Sequence, residues 1–136
     1  NDVFPLIEGI ILQNEKSLSK YLAGLITRVC GYLGINTRLV LSSETEKDNS
    51  LKGQDKVLEI CGILGANRYI NAIGGMELYS KGAFEKHNIE LSFIKTREIK
   101  YKQYNNEFVP NLSIIDVMMF NSKEEIKRML NEYDLV

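Results

Sequence analysis

Apolar residues recur every three or four positions in several parts of the chain, which is the spacing of an amphipathic helix. Ser17 is a suitable N-cap for the longest of these stretches, and Gly34 a suitable end, because glycine adopts the left-handed conformation at little cost. The spacing predicts helices after Pro5, between Ser17 and Gly34, between Val57 and Gly65, and from Ser122 to Tyr133. A further helix is predicted over residues 76–88, despite Gly82.

Three short apolar stretches have the length and composition of strands: residues 37–43, 68–72 and 89–95. In the last of them, Leu91 and Phe93 fall on one face. Residues 44–54 are polar and have no period, which predicts a loop and a suitable place for an insertion or a lid. The alternation of helices and strands predicts a single α/β domain over residues 1–136, with a short, mostly parallel sheet and helices on its faces.

Composition and charge exclude several classes of protein. Of the 136 residues, 44% are hydrophobic and 26% charged, which is typical of a globular protein. A formal net charge of -1 provides no overall positive potential that would attract nucleic acid, so no nucleic-acid partner is predicted. No apolar run approaches the roughly 20 residues of a membrane-spanning helix. The N-terminus is acidic where a signal peptide would be basic, which predicts a cytoplasmic protein with reduced thiols.

Two similar segments, VCGYLGIN and ICGILGAN, place Cys30 and Cys61 31 positions apart, each near the end of a predicted helix. A redox pair, a metal pair and two buried residues of a repeated unit are the alternatives. No second cysteine and no histidine lies within metal-ligand spacing of either thiol. The sequence therefore predicts two buried structural thiols, no metal site and no cofactor.

The ends of two predicted strands offer groups for a ligand. In an open parallel sheet, ligands bind at the carboxyl ends of the strands, and a glycine-rich turn lets backbone N–H groups approach a phosphate. Either the Gly74–Gly75 turn binds a ligand, or it is a tight turn that needs positive φ. Ser42 and Ser43 likewise either contact a ligand or cap the chain as it enters the loop over residues 44–54. The residues concerned are Ser42 and Ser43 after one strand, and Asn71, Gly74, Gly75 and Tyr79 around the next turn.

A second candidate region, residues 95–108, combines cations with aromatic residues. Such a stretch either grips a nucleotide or sugar phosphate, or is a solvated loop. Its candidate ligand-binding residues are Lys100, Lys102, Gln103 and Tyr104. Asp116 lies in the apolar run LSIIDVMMF, where a carboxylate must be hydrogen-bonded or paired. Asp116 either caps the backbone of a neighbouring segment or acts as an acid–base group. The sequence offers no other candidate catalytic residue, because His87, the single histidine, has no evident partner.

Four segments follow one another along nearly the whole chain: CGYLGINTRLVLSSE, DKVLEICGILGANRYINAIGG, GAFEKHNIELSF and YKQYNNEFVPNLSIIDVMMFN. Together they resemble the WbqC-like proteins of bacterial surface-polysaccharide gene clusters. The opening HQPxYLPWxGYF-type segment of that family has no counterpart, which predicts that the chain is the C-terminal portion of a longer protein. Matching positions imply the candidates Ser42, Ser43, Asn71, Gly74, Gly75, Tyr79, Gln103, Tyr104 and Asp116.

The resemblance implies a transferase in the synthesis of O-antigen or a related polysaccharide, such as one that moves a glycyl group to an amino sugar. In that hypothesis the Gly74–Gly75 turn holds a diphosphate, and Lys100 or Lys102 offsets its charge. Tyr104 stacks on a base or sugar, and Asp116 is the candidate base. The ligand is a nucleotide-linked or phosphorylated sugar. The alternative is a non-catalytic module that binds a sugar nucleotide or a protein.

Overall fold

A computed structural model describes residues 3–104 and 107–136. Asn105 and Asn106, in the predicted cation–aromatic stretch, and the first two residues of the chain lie outside the described residues. The chain forms two compact units, Asn1–Leu41 with Glu98–Glu132 and Ser42–Arg97 with Tyr133–Val136, here called the first and the second unit. That residues 1–136 make up one domain stays a prediction.

The first unit is helical. Its helices are α1 (Val3–Ile11), α2 (Leu18–Leu33), α5 (Ile114–Phe120) and α6 (Lys123–Met129). Their apolar stripes meet in a core that contains the buried residues Val3, Ile10, Val29, Leu33, Met118 and Ile126. Ser122 and Glu125 form a reciprocal capping box that begins α6, and these hydrogen bonds lower the pKa of Glu125. The predicted helices after Pro5, after Ser17 and after Ser122 are therefore present.

The second unit contains the sheet. It comprises α3 (Gly53–Ile63), β1 (Arg68–Ala72), α4 (Lys81–Glu85), β2 (Glu90–Thr96) and β3 (Tyr133–Leu135). The strand order is β1-β2-β3, with β1 parallel and β3 antiparallel to β2. The α/β class is confirmed, and the sheet is mixed. Its core includes Leu58, Cys61, Phe84, Ile89, Leu91 and Phe93.

Three predicted elements are wrong in part or in whole. Residues 37–41 form neither helix nor strand, and Ser42–Glu44 form a 3-10 helix, so the predicted strand over residues 37–43 is absent. The predicted helix over residues 76–88 is broken into a 3-10 helix, Ile73–Leu78, and the short α4. Tyr133 belongs to β3, not to the last helix, because α6 ends at Met129 and pairing with β2 takes the following residues.

The polar stretch over residues 44–54 is a loop along most of its length, as predicted. It is tied to α3, because the Asp48 N–H donates to Glu59 Oε1 at 2.8 Å. The Ser50 side chain, together with the Ser50 N–H that donates to Asp48 Oδ1 at 2.8 Å, lowers the pKa of the Asp48 carboxyl group. A role of this loop as a lid stays a prediction. None of the described helices is long and apolar enough to cross a membrane.

Candidate functional site

The predicted site residues fall into two sets. Five lie in the first unit: Lys100, Lys102, Gln103, Tyr104 and Asp116. Six lie in the second unit: Ser42, Ser43, Asn71, Gly74, Gly75 and Tyr79. Within the first set, the structure joins Gln103 to Asp116, and within the second it joins Asn71, Gly75 and Tyr79.

Asp116 lies in the first turn of α5, which begins after the N-cap Ser113. Its Oδ2 accepts two hydrogen bonds, from the Tyr101 hydroxyl at 2.6 Å and from Gln103 Nε2 at 3.0 Å. Within residues 3–104 and 107–136, no hydrogen bond to Asp116 Oδ1 is present. The carboxylate is half-buried and fixed through one oxygen, which leaves the other able to accept a hydrogen bond or a proton.

Gln103 is the central group of this network. Its Nε2 donates to the Val109 carbonyl at 3.1 Å, and its Oε1 accepts the Val109 N–H at 2.8 Å. Nε2 also lies 3.2 Å from the Tyr101 hydroxyl. Because one side-chain amide binds both the N–H and the C=O of Val109, it holds the segment that precedes α5 in place.

Tyr101 is the second partner of Asp116. Burial, followed by the hydrogen bond to Asp116, raises the pKa of its phenol, so Tyr101 stays protonated at neutral pH and its hydroxyl donates a hydrogen bond to the carboxylate. Its ring meets Phe108 edge-on, with 5.3 Å between the ring centroids. Tyr101 was not among the residues predicted for the site. The available signal was its position two residues before Gln103, in the segment YKQYNNEFVPNLSIIDVMMFN.

Tyr104 is 76% exposed and has a positive φ of 36°. Its ring stands perpendicular to that of Phe120, with 4.7 Å between centroids. A non-glycine residue at positive φ is uncommon and marks a position that its surroundings hold in place. An exposed aromatic face supported in this way can stack on a sugar or a base.

The two lysines of the first set differ in their partners. Lys100 Nζ lies 2.8 Å from Glu98 Oε1, and this hydrogen bond raises the pKa of the ammonium. Lys102 is exposed, and no ion pair of its side chain is present among the described residues. Lys102 is therefore the more available cation for an anionic ligand.

In the second unit, the chain turns closely after β1. The Asn71 Oδ1 accepts the Ala72 N–H at 2.8 Å. Gly75 is buried, and a Cβ there would lie 2.9 Å from Asn71 Nδ2 and 3.5 Å from Tyr79 Cε2. Neither Gly74 nor Gly75 has positive φ, so the tight-turn interpretation of the glycine pair fails on this point; Gly75 is required by close packing instead. Gly74 is exposed, and a Cβ there would meet no atom within 4 Å.

Ser42 and Ser43 are exposed in the 3-10 helix that replaces the predicted strand end. The Ser42 carbonyl accepts a hydrogen bond from Lys47 Nζ, which also lies 3.3 Å from the Thr45 carbonyl. The serines therefore do not follow a strand of the sheet that ends beside β1. Among the described residues, no three His, Cys, Asp or Glu side chains are grouped as metal ligands would be.

The fold and the network around Asp116 define an α/β protein that has, in its helical unit, a positioned carboxylate and an exposed aromatic residue. The WbqC-like protein family model matches residues 1–128, and the chain therefore belongs to this family. The match does not bear out the expectation that the chain holds only the C-terminal portion of a family member. No curated protein and no solved structure matches it.

Proposed function

We propose that the chain is a cytoplasmic transferase in the synthesis of surface-polysaccharide precursors, which moves an aminoacyl group such as glycyl to a nucleotide-linked amino sugar. The observation that carries this proposal is the state of Asp116. Two donors hold Oδ2, and Oδ1 has no hydrogen bond within the described residues. Membership of the WbqC-like family supports the pathway, since the resemblance implies surface-polysaccharide synthesis.

In the proposed step, the amino nitrogen of the sugar attacks the glycyl carbonyl carbon. A carbon–nitrogen bond forms, and the bond from that carbon to the sulfur or oxygen of the donor breaks. The proton released by nitrogen passes to Asp116 Oδ1 and then to the leaving thiolate or alkoxide, so that the charge is balanced. Tyr101 and Gln103 act as positioning residues, because they fix the carboxylate from its other oxygen.

Ligand binding in the first unit is assigned to two exposed groups. Tyr104 offers its ring to a base or a sugar, and Lys102 offers an exposed ammonium to a phosphate. Lys100 is a weaker candidate because Glu98 already neutralises it. In the second unit, the groups proposed for phosphate binding are the exposed Gly74 and the side chain of Asn71, with Ser42 and Ser43 as further polar contacts.

The second candidate function is binding of a sugar nucleotide without catalysis. One observation favours it: Tyr101, Gln103 and Val109 satisfy one another's hydrogen bonds, as they would if Asp116 only held the segment in shape. The two functions differ in what removal of the charge of Asp116 does. If Asp116 is the base, its replacement by asparagine abolishes activity and leaves ligand binding intact. If Asp116 is only structural, the replacement abolishes both.

The test uses nucleotide-linked amino sugars together with glycyl thioester and glycyl ester donors. Product is detected by mass spectrometry as a sugar that has gained one glycyl group. Asp116→Asn should lower the rate about a hundredfold, as expected for loss of a general base. The ligand-induced rise in melting temperature should persist in this variant. Glu124→Gln, at an exposed acid in the first turn of α6, is the matched control and should keep full activity.

Each outcome has a meaning. Retained transfer in Asp116→Asn overturns the assignment of the base. Absence of product with every donor, together with a nucleotide-sugar shift in melting temperature, supports the binding module instead. No shift with any nucleotide sugar counts against both functions.

A further inference from the structure

The first strand of the sheet has a neighbouring strand on one side only. The strand order is β1-β2-β3, so β1 is an edge strand. Among residues 3–104 and 107–136, no strand pairs with its outer edge. β3 and Val136 pair with the other edge of β2, so the free edge of β1 is separate from the place where the chain ends.

The parallel pairing determines which backbone groups of β1 face this free edge. The Glu90 N–H donates to the Asn67 carbonyl at 2.9 Å, so Asn67 and every second residue after it direct their groups toward β2. Successive residues of a strand alternate in this direction. Arg68, Ile70 and Ala72 therefore direct their N–H and C=O groups away from β2.

The free edge has few of the features that prevent strands from pairing. Native proteins protect such edges with proline, lysine, a bulge or a covering segment. β1 has the sequence RYINA, and its pairing with β2 continues without a bulge along all five residues. Its single charged residue, Arg68, is bound by Glu90, with 2.8 Å between Nη2 and Oε2. Ile70, at the centre of the strand, is exposed.

One donor of this edge is already in use. Asn71 Oδ1 accepts the Ala72 N–H at 2.8 Å, so that a neighbouring strand can pair only with the Ala72 carbonyl. At Ile70, neither the N–H nor the C=O has a hydrogen bond in the part of the chain that the structure describes. The edge therefore offers a complete donor–acceptor pair at its centre and an acceptor at its end.

We propose that the edge of β1 binds the same edge of a second copy of this chain, antiparallel and centred on Ile70. A two-fold axis at Ile70 lets the two copies of this residue exchange both backbone hydrogen bonds. Each Arg68 N–H then donates to the Ala72 carbonyl of the second copy, which needs no N–H from Ala72. The two three-stranded sheets become one sheet of six strands. The proposal is independent of the transferase function.

The side chains favour this register over its alternatives. An axis at Arg68 would place two guanidinium groups opposite each other, which is destabilising. An axis at Ala72 would need the N–H that Asn71 accepts. An axis at Tyr69 would place each Ile70 opposite a charged Arg68. With the axis at Ile70, the two exposed isoleucines cover each other, and a second copy therefore supplies what the edge lacks.

Sedimentation equilibrium measures this association. The average mass should rise from 15.5 kDa toward twice that value as the protein concentration is raised to about 1 mM. Ile70→Lys places like charges opposite each other at the axis and should weaken the association about tenfold. Ile63→Lys is the matched control: it changes an isoleucine of similar exposure at the end of α3 and should leave the association unchanged.

A charge exchange tests the register itself. Ile70→Glu should weaken the association as Ile70→Lys does, whereas a mixture of the two variants should form a mixed dimer, because opposite charges then meet at the axis. A change of fold in either variant would not produce this rescue. Absence of a mixed dimer would overturn the proposal, as would the mass of a single chain at every concentration of the unchanged protein.

Amide hydrogen exchange gives a second measurement, which needs no variant. The Ile70 amide should exchange more slowly as the protein concentration rises, whereas the Tyr69 amide, which faces β2, should be unaffected. The Ala72 amide is a further control, because Asn71 accepts its hydrogen bond in the single chain. An Ile70 amide that exchanges at the same rate at low and high concentration would overturn the proposal, even for a protein that forms dimers.

Discussion

Two segments of similar sequence, residues 29–36 and 60–67, end two helices in the same way. Gly34 and Gly65 have φ values of 72° and 63°. The residue after each glycine donates its N–H to the carbonyl of the cysteine, Ile35 to Cys30 and Ala66 to Cys61, both at 2.8 Å. This is the hydrogen bond of a glycine-terminated helix, and it depends on neighbouring residues alone.

The chain behaves differently after the two segments. Residues 35–41 form no strand, and Leu39 and Val40 are exposed. After the second segment, β1 pairs with β2, and Tyr69 stacks on Phe84 with 5.4 Å between ring centroids. The comparison shows that local sequence is enough to end a helix, whereas a strand forms only where it can pair with a neighbouring strand and pack against a core. The following predictions test that difference.

The largest effect is expected from Phe84→Ala. Phe84 is fully buried beneath Tyr69 and Tyr79, so its loss should lower the free energy of unfolding by about 3–5 kcal/mol in urea denaturation. Amides of β1 should also exchange faster, while the hydrogen bonds at Gly65 persist. Met118→Ala in the first unit is the control: a stability loss there without faster exchange in β1 is expected. Unchanged β1 exchange in Phe84→Ala would contradict the dependence of the strand on this core.

The two helix ends should respond alike to loss of their glycines. Gly34→Ala and Gly65→Ala should each lower the free energy of unfolding by about 1–2 kcal/mol, because an L-residue is strained at positive φ. Gly31→Ala and Gly62→Ala, inside the helices with no atom near the added Cβ, should stabilise by about 0.5–1 kcal/mol. Thermal denaturation measures all four. Opposite responses of the two segments would show that their ends are not equivalent.

The turn after β1 has no equivalent in the first segment. Gly75→Ala should destabilise by about 1 kcal/mol, since the new Cβ would displace the Asn71 side chain. Gly74→Ala should be nearly neutral because its surroundings are open. Gly74→Val is consequently the better test of phosphate binding: loss of a nucleotide-sugar shift without loss of stability would support it, and an unchanged shift would refute it.

Alkaline pH should reveal the packing of β1. Burial, together with the interaction with Tyr79, raises the pKa of Tyr69 from 10.0 to about 12. Because the folded-state pKa lies above the unfolded value, this contribution to stability is complete below pH 10 and is lost as the pH rises toward 12. Tyr69→Phe should remove this part of the alkaline destabilisation. The measurement is the free energy of unfolding across this pH range. If its decline with pH were the same in Tyr69→Phe as in the unchanged protein, Tyr69 would not be the group responsible.

The smallest effect concerns the thiols and leaves stability unchanged. Cys61 is buried, and burial raises the pKa of its thiol, whereas Cys30 is half-buried. Iodoacetamide should therefore modify Cys30 faster than Cys61 in the native protein, as followed by mass spectrometry. Cys30→Ala and Cys61→Ala identify each rate. Faster modification of Cys61 would contradict the tighter packing of the second segment.

Part of the candidate site was predictable from the sequence. Asp116 inside an apolar run had to be hydrogen-bonded, and the structure supplies Tyr101 and Gln103 as donors. The placement of Ser42 beside the end of β1 failed because it assumed a strand over residues 37–43. That stretch has the composition of a strand, but composition does not show whether a partner strand lies beside it.

The sequence by itself determined helices α2 and α6, the Ser122 cap and the two glycine ends, because these depend on residues within one or two turns. Only the tertiary structure decided that Tyr133 joins β2 instead of α6 and that one oxygen of Asp116 is held by two donors. These features join residues distant along the chain, and their free energy comes from pairing and packing that no local pattern encodes.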